Sequence, residues 1–141
     1  MRPMYESKDD LFNEQAVASY IAAKRPGLFW RKLPVAYPLD YAFFDGKNNL
    51  RFFAEIKCRR VASTNFPTFI LSLHKWDSGN RIANGAVPVY LIVRWTDRIG
   101  SLRFRPVTRE CDIRLGGRTD RKDVQDMEPV IHLPTKNFAN P

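Results

Sequence analysis

Asp40, Glu55 and Lys57 are the residues in this chain whose types and spacing are best suited to catalysis. Glu55 and Lys57 lie two positions apart in a largely apolar run at residues 50 to 58. If this run is a strand, its alternate residues share a face, so both charged side chains project to the same side. The opposite face is wholly apolar: Leu50, Phe52, Ala54, Ile56 and Cys58. An ordinary solvated strand with one ion pair would show the same pattern, so this pair does not decide the function by itself.

Asp40 adds a second carboxylate if the preceding segment pairs with this strand as a hairpin. Pairing of Phe44 with Arg51 would place Asp40 directly opposite Glu55. Two facing carboxylates destabilise a strand pair unless a cation lies between them. A slip of one residue would instead place Asp40 on the apolar face beside Ala54.

The two carboxylates together would make a hard oxygen site. With a main-chain carbonyl such as that of Ile56, Asp40 and Glu55 are suited to Mg²⁺ or Mn²⁺. Glu14 is a third acid, on the first predicted helix, and lies within the apolar stripe rather than on the polar side. Such an acid either points inward, paired with a core base or directed at a metal site in the sheet, or reaches water from the edge of the stripe, and both interpretations stay open.

Several basic and polar residues nearby could contact a polyanion. Ser72 and Lys75 could reach a phosphate beside the metal, although ordinary boundary residues look the same. Arg59 and Arg60 directly follow Lys57, and arginines of this kind give salt-dependent phosphate binding that is mostly independent of base sequence. Further basic residues that fit such a path are Arg94, Arg98, Arg103, Arg105, Arg109, Arg114, Arg118, Arg121 and Lys122.

The elements that must position these residues follow from the apolar pattern and the turn formers. Helices are predicted at residues 9 to 24 and 67 to 84. Strands are predicted at residues 29 to 35, 38 to 44, 50 to 58, 87 to 95, 98 to 105 and 128 to 133, with a loop that contains short elements at residues 110 to 126. This order indicates an α/β or α+β domain in which a central mixed β-sheet is flanked by helices.

The motif Pro38-Leu39-Asp40, followed fifteen residues later by Glu55-Ile56-Lys57 on an apolar strand, resembles the PD-(D/E)XK nuclease superfamily. The resemblance covers residues 9 to 95 and implies the restriction-endonuclease-like fold. Carried over to this sequence, it implies that Asp40 and Glu55 are metal ligands and that Lys57 is the catalytic lysine. Glu14 is similar to the acid that many members carry on their first helix. Leu39, between the proline and the aspartate, departs from the family pattern.

Metal-dependent hydrolysis of phosphodiester bonds is the activity that this resemblance implies. Mg²⁺ or Mn²⁺ would polarise the phosphoryl oxygen and lower the pKa of a bound water. Lys57 would orient that water or stabilise charge at the phosphorus, and Glu14 would complete a second metal position or hold a water. A small phage-type or resolvase-like enzyme, acting on DNA as a homodimer, is the expected member.

Length and charge set the remaining expectations. A chain of 141 residues is predicted to be one nuclease domain spanning residues 1–141. The formal net charge of +8 favours a polyanionic partner, and nucleic acid is the commonest one. No apolar run approaches the ~20 residues that a membrane span needs. Without a secretory signal, the expected location is the cytoplasm, that of the host cell if a phage encodes the protein.

Three interpretations of the function are consistent with this sequence. The first is a Mg²⁺-dependent DNA endonuclease, which includes structure-selective enzymes such as Holliday junction resolvases. The second is a non-catalytic nucleic-acid-binding module on the same fold, against which the retention of Asp40, Glu55 and Lys57 argues. The third is a structural or inhibitory protein whose basic face docks on an acidic protein.

Overall fold

The computed structural model describes residues 8–117 and 127–141, and these form two helices, eight strands and one short 3₁₀ helix. In chain order they are α1 (Lys8–Ala22), β1 (Phe29–Lys32), β2 (Tyr41–Phe44), β3 (Leu50–Cys58), β4 (Thr68–Ser72), α2 (Leu73–Ala83), β5 (Val89–Arg94), β6 (Ile99–Arg103), β7 (Asp112–Gly117), β8 (Met127–Pro134) and the 3₁₀ helix Thr135–Asn137.

The strands form two sheets. The larger has the order β1-β2-β3-β5-β6, and β3 and β5 are its parallel pair while the other neighbours are antiparallel. The smaller is antiparallel, with the order β4-β8-β7. The predicted fold class, a central mixed sheet flanked by helices, is therefore confirmed, and the smaller sheet is an addition that the sequence did not predict.

Two apolar clusters cover the two faces of the larger sheet. On one face, α1 contributes Val17, Ala18 and Ile21, which pack on residues of β2, β3 and β5 such as Ile56. On the other face, β5 meets α2 and the smaller sheet, with Trp76 among the buried residues. Both faces of β5 are buried, as its continuous apolar run predicts.

The predicted helix at residues 67 to 84 is wrong in its first part. Residues Thr68–Ser72 are strand β4, and only Leu73–Ala83 are helical. Phe69 and Leu71 point into the core while Ile70, between them, is half exposed, which is the alternation of a strand. This period-two pattern, with pairing to β8, outweighs the helical stripe on which the longer helix was predicted.

The predicted loop with short elements at residues 110 to 126 contains one such element in the described residues, strand β7 (Asp112–Gly117), which pairs with β8. The rest of that prediction, residues 118–126, lies outside the described residues. The predicted strand at residues 29 to 35 ends at Lys32, before Pro34, which lacks the N–H that a strand pair uses. The remaining predicted strands and the first helix are present, with ends that shift by up to three residues.

The β2–β3 register differs from the prediction only next to the turn. Phe44 pairs with Leu50 rather than with Arg51, because the register shifts between Phe43 and Phe44. From Phe43 onwards the pairing is the predicted one, and Tyr41 faces Ala54. Asp40, one position earlier on the same ladder, therefore comes opposite Glu55.

No helix in the described ranges is long and apolar enough to cross a membrane. Cys58 and Cys111 are both free and half-buried.

Candidate active site

The end of β3 and the start of β2 together form one wall of a polar cavity. The cavity has a volume of about 380 Å³. Its lining consists of Asp10, Glu14, Lys32, Val35, Tyr37, Asp40, Glu55, Lys57, Cys58, Arg59 and Lys75. The five-stranded sheet thus brings a motif that spans two strands to one place, together with the first turns of α1 and α2.

Glu55 is the buried centre of this cavity, with only 1% of its surface exposed. Its Oε1 lies 3.6 Å from the Nζ of Lys57, and its Oε2 lies 3.3 Å from the Nζ of Lys75. Oε2 nevertheless accepts no hydrogen bond, so the contact with Lys75 is an ion pair without hydrogen-bond geometry. A buried carboxylate oxygen without a donor is costly and is usually explained by a ligand or a functional role.

Burial raises the pKa of Glu55 from 4.5 to about 7. Desolvation of the charged form is the largest cause, and the neighbouring carboxylate of Asp40 is the next. The ammonium groups of Lys57 and Lys75 act in the opposite direction. Glu55 is therefore poised between its neutral and charged forms near neutral pH, and a further cation in the cavity would favour the charged form.

Asp40 is held in place by contacts with β3 and with the end of β1. The main-chain N–H of Ile56 donates a hydrogen bond of 3.4 Å to Oδ2 of Asp40, and Lys32 Nζ lies 3.8 Å from Oδ1. The carbonyl oxygen of Asp40 accepts a 2.7 Å bond from the N–H of Leu33. These contacts fix the aspartate at the position where the ladder places it opposite Glu55.

Glu14 reaches the cavity from α1, on the opposite side of the sheet from α2. The hydroxyl of Tyr41 donates to its Oε1 at 3.5 Å. Of the two interpretations that the sequence left open, the structure favours the one in which Glu14 is directed at a site beside the sheet. Asp10 lies one helical turn earlier and lines the same cavity.

The residues present fit a divalent cation. Asp40 and Glu55 bring two carboxylates together, and the orphaned Oε2 and the raised pKa of Glu55 are both effects that a bound cation would relieve. Across residues 8–117 and 127–141, no group of three Asp, Glu, His or Cys side chains is close enough to hold an ion alone. Main-chain carbonyls, water or substrate oxygens would have to complete the coordination, as is usual for Mg²⁺.

Most of the sequence-predicted site residues meet in this cavity, but three do not: Ile56, which is fully buried and donates its main-chain N–H to Asp40, Ser72 and Arg60. Asp40, Glu55, Lys57, Glu14, Arg59 and Lys75 all line it. Ser72 lies at the N-cap position of α2 and Arg60 lines a neighbouring cavity, so neither is in the lining. Of the predicted basic path, Arg118, Arg121 and Lys122 lie outside the described residues.

Sequence reasoning missed Asp10, Lys32 and Tyr37 as residues of the cavity. A signal for Asp10 existed, because it precedes Glu14 by four positions and helix residues at that spacing share a face. Lys32 pairs with Tyr41 at the end of β1, next to Asp40, but only the observed register reveals this. Tyr37 lies in the irregular segment between β1 and β2, where no periodic pattern exists.

Residues 1–140 match a family of proteins described as "Phage putative PDDEXK endonuclease". The chain belongs to this family. The match spans almost the whole sequence and includes the hairpin and both helices around Asp40, Glu55 and Lys57. Membership confirms the predicted resemblance and makes the chain a nuclease of PDDEXK type. No curated protein matches the chain in sequence.

A solved structure supports the same fold. The structure of Hjc from Archaeoglobus fulgidus, a Holliday junction resolvase from an archaeal hyperthermophile, is similar with a TM-score of 0.57 at 11% sequence identity. The similarity covers 92% of this chain and 94% of the resolvase chain. At this level of identity the likeness shows a shared fold, and the resolvase activity is a property of the archaeal protein.

Proposed function

We propose that this PDDEXK family member is a divalent-metal-dependent DNA endonuclease whose active site is built on Asp40, Glu55 and Lys57. The proposal rests on the environment of Glu55. This residue is buried and lies opposite Asp40, and one of its carboxylate oxygens has no hydrogen-bond donor. In a buried ion pair with a purely structural role, each carboxylate oxygen would have a hydrogen-bond donor. The repulsion between two neighbouring carboxylates would also be compensated by a positive charge.

Asp40 and Glu55 would hold the cation, with the carbonyl of Ile56 as a further oxygen ligand. When bound, Mg²⁺ or Mn²⁺ supplies Lewis-acid polarisation of a phosphoryl oxygen and lowers the pKa of a water. Lys57, whose side chain is 35% exposed to the cavity, is placed to orient the attacking water and to stabilise charge developing on the phosphate. Glu14 would hold a water or a second ion from the α1 side.

DNA is the proposed substrate because the family description is that of phage endonucleases and the chain carries a net charge of +8. Arg59 lines the cavity and is positioned to contact a phosphate next to the cleaved one. Lys75, assigned from the sequence to a phosphate, is now proposed to act first on Glu55, since their charged groups are in contact. Ser72 and Arg60 would act only outside the cavity.

A structure-selective nuclease that acts on branched DNA is the second candidate. The observation that favours it is the similarity of fold to a Holliday junction resolvase over nearly the full length of both chains. For either candidate we expect a homodimer, because cutting both strands of DNA usually takes two active sites. We further infer that residues 1–141 make one nuclease domain that acts in the cytoplasm of the host cell.

A cleavage assay on supercoiled plasmid, single-stranded DNA, a four-way junction and single-stranded RNA tests the proposal. Each substrate is incubated with Mg²⁺, with Mn²⁺ and with EDTA. Metal-dependent cutting of plasmid or junction is the expected result, and preference for the junction selects the second candidate. Cutting only of RNA, or equal cutting in EDTA, would contradict the proposal. Salt-sensitive binding without any cutting would favour a non-catalytic binding module.

A further inference from the structure

A second cavity adjoins the candidate active site at the carboxyl ends of the parallel strands β3 and β5, where Cys58 faces Arg94. It has a volume of about 560 Å³. Its lining, which defines what is called here the arginine cavity, is Arg59, Arg60, Arg94, Trp95, Thr96, Arg98 and Ile99. Arg59 lines both cavities, so the two are direct neighbours. The carboxyl ends of parallel strands are where open α/β sheets usually bind their ligands.

The two cavities differ sharply in charge. The active-site cavity contains four acids and four basic residues, whereas the arginine cavity contains four arginines and no acid. In the part of the chain that the structure describes, none of these arginines forms a salt bridge. Apart from the attraction between Arg98 and Asp97, the charges around this cavity repel each other, and an anion between them would relieve that repulsion.

The side chains of two of the four arginines are held by their surroundings. The guanidinium of Arg59 lies over the ring of Phe69, 4.6 Å from its centroid. Arg98 donates a 2.8 Å hydrogen bond from Nη2 to the carbonyl oxygen of Phe138. The N–H of Arg59 also donates to the carbonyl oxygen of Arg94 at 2.8 Å. A site whose donors are already oriented loses less conformational entropy when it binds its ligand.

One side-chain contact fixes the segment after β3 against the β5–β6 turn. Asp97 accepts two hydrogen bonds from Ser63, one from the main-chain N–H at 2.7 Å and one from Oγ at 2.6 Å. Ser63 is only 8% exposed, and the N–H of Thr96 donates to the carbonyl oxygen of Val61 at 3.0 Å. The two stretches joined in this way carry Arg59 and Arg60 on one side and Arg98 on the other. Together with these main-chain bonds, Asp97 and Ser63 therefore help to hold the two sides of the arginine cavity together.

We propose that the arginine cavity binds a second phosphate of the same nucleic-acid strand whose scissile phosphate lies in the active site, with Ser63 and Asp97 as positioning residues. The inference rests on the proposed nuclease function and narrows its substrate class. The cleaved strand must continue past the cut on the arginine side by at least one phosphodiester. Such an enzyme cuts within strands rather than releasing terminal nucleotides from that side.

The first test compares two double variants that remove the same charge. Arg60→Gln/Arg94→Gln removes two of the four arginines of the cavity, while Arg31→Gln/Arg81→Gln removes two exposed arginines that line neither cavity. Binding of a short fluorescein-labelled DNA duplex is measured by anisotropy in EDTA across a salt series. The cavity variant should bind DNA roughly tenfold more weakly. The slope of the logarithm of its binding constant against the logarithm of the salt concentration should become shallower by about one to two, since each phosphate contact contributes about 0.9 to that slope. Equal losses in both variants would overturn the proposal.

The second test separates positioning from net charge. Asp97→Ala and Glu110→Ala each remove one negative charge, so general electrostatics predicts that both tighten DNA binding. Loss of the Ser63 contacts predicts instead that Asp97→Ala weakens binding several-fold, and that Asp97→Asn, which keeps an acceptor, restores it. Binding by Asp97→Ala as tight as that by Glu110→Ala would contradict the positioning role. If Asp97→Ala fails to fold, Ser63→Ala removes one of the two bonds and takes its place.

A third test uses cleavage and locates the second phosphate. One phosphate beside the cleaved bond is replaced by an uncharged methylphosphonate, which should slow the wild type about tenfold but slow Arg60→Gln/Arg94→Gln little further. If the methylphosphonate and the arginine substitutions slowed cleavage independently of each other, the replaced phosphate would not be bound in the arginine cavity, and the proposal would be overturned. Comparing the binding assay with the cleavage assay separates a failure of the phosphate-site proposal from a failure of the nuclease proposal. Cavity-dependent binding without any cutting contradicts the nuclease alone, and cutting that the arginine variants leave unchanged contradicts the phosphate site alone.

Discussion

The ammonium group of Lys75, on α2, lies 3.3 Å from Oε2 of Glu55, on β3. The same group donates a 2.6 Å hydrogen bond to the carbonyl oxygen of Pro38, just before Asp40. Lys75 therefore joins the helix to both halves of the sequence motif. In the absence of metal it also supplies part of the positive charge that the buried carboxylate needs.

Replacing Lys75 by methionine should destabilise the metal-free protein at pH 8. The change leaves Glu55 with one cation fewer, and an uncompensated buried polar group costs about 1–3 kcal/mol. Mg²⁺ should recover much of this loss, because it would supply the missing positive charge. Denaturant unfolding of the variant with Mg²⁺ and with EDTA measures both effects, with Lys47→Met on the exposed turn as control. An equal loss in the two conditions would mean that no cation compensates Glu55.

The raised pKa of Glu55 predicts that the metal-free protein loses stability as the pH rises. The folded protein holds the proton up to about pH 7, whereas the unfolded chain releases it near 4.5. Stabilisation by that proton is thus fully present below 4.5 and is lost as the pH passes through 7, a change on the order of 3 kcal/mol. Unfolding free energies at pH 5 and pH 8 in EDTA measure the change.

Glu55→Gln provides the comparison for this pH dependence. The amide cannot ionise, so the variant should be more stable than the wild type at pH 8 and should lose less stability between pH 5 and pH 8. Glu110→Gln, at an exposed position, should leave the wild-type pH dependence unchanged. If Glu55→Gln kept the full pH dependence, the burial of an ionised Glu55 would not be its cause.

Glu14 should contribute to the rate of cleavage without being indispensable. Glu14→Gln keeps an acceptor for the hydroxyl of Tyr41 but removes the charge that faces the cavity. A supporting group of this kind around a metal site typically changes activity or metal affinity by about 10- to 100-fold. Steady-state cleavage rates at saturating Mn²⁺ check the value. Loss of all activity would instead make Glu14 as essential as Asp40.

Gly79 should be required for the packing of α2 on the rest of the core. A Cβ added at this position would overlap the ring of Phe104, which stacks on Trp76 with 4.5 Å between ring centroids. Gly79→Ala should therefore destabilise the protein by about 1–3 kcal/mol, although alanine in a helix is ordinarily favourable. Thermal unfolding measures this change. Gly79→Ala/Phe104→Leu should lose less stability than the two single changes added together, and simple additivity would show that the two positions do not clash.

The hairpin of the motif could be predicted because its signals are local. Alternation along β3 and the turn formers before it determine the strand, its apolar face and the partner segment. The register error was confined to Phe44, where a bulge shifts one pair. The core of the hairpin tolerates no slip, because a slip would bring Asp40 onto the face that packs under α1.

The smaller sheet and parts of the site could not be predicted, because they depend on distant contacts. Strand β4 exists through pairing with β8, more than fifty residues later in the chain, and a helical stripe fits its five residues as well. Lys75 was assigned to phosphate, since nothing local indicates that its ammonium reaches Glu55. Asp97 and Ser63 meet across 34 positions of sequence, and neither belongs to a periodic pattern.

Plasmid cleavage by Lys57→Ala, with Lys47→Ala as a charge-matched control, tests whether Asp40, Glu55 and Lys57 form the active site of a nuclease. Both variants lose one lysine, but Lys57 is in contact with Glu55 in the cavity while Lys47 lies on the exposed turn between β2 and β3. With Mg²⁺ or Mn²⁺, the wild type and Lys47→Ala should cut supercoiled plasmid, and Lys57→Ala should remain folded and cut none. Cutting by folded Lys57→Ala at the wild-type rate would contradict the assignment of this site.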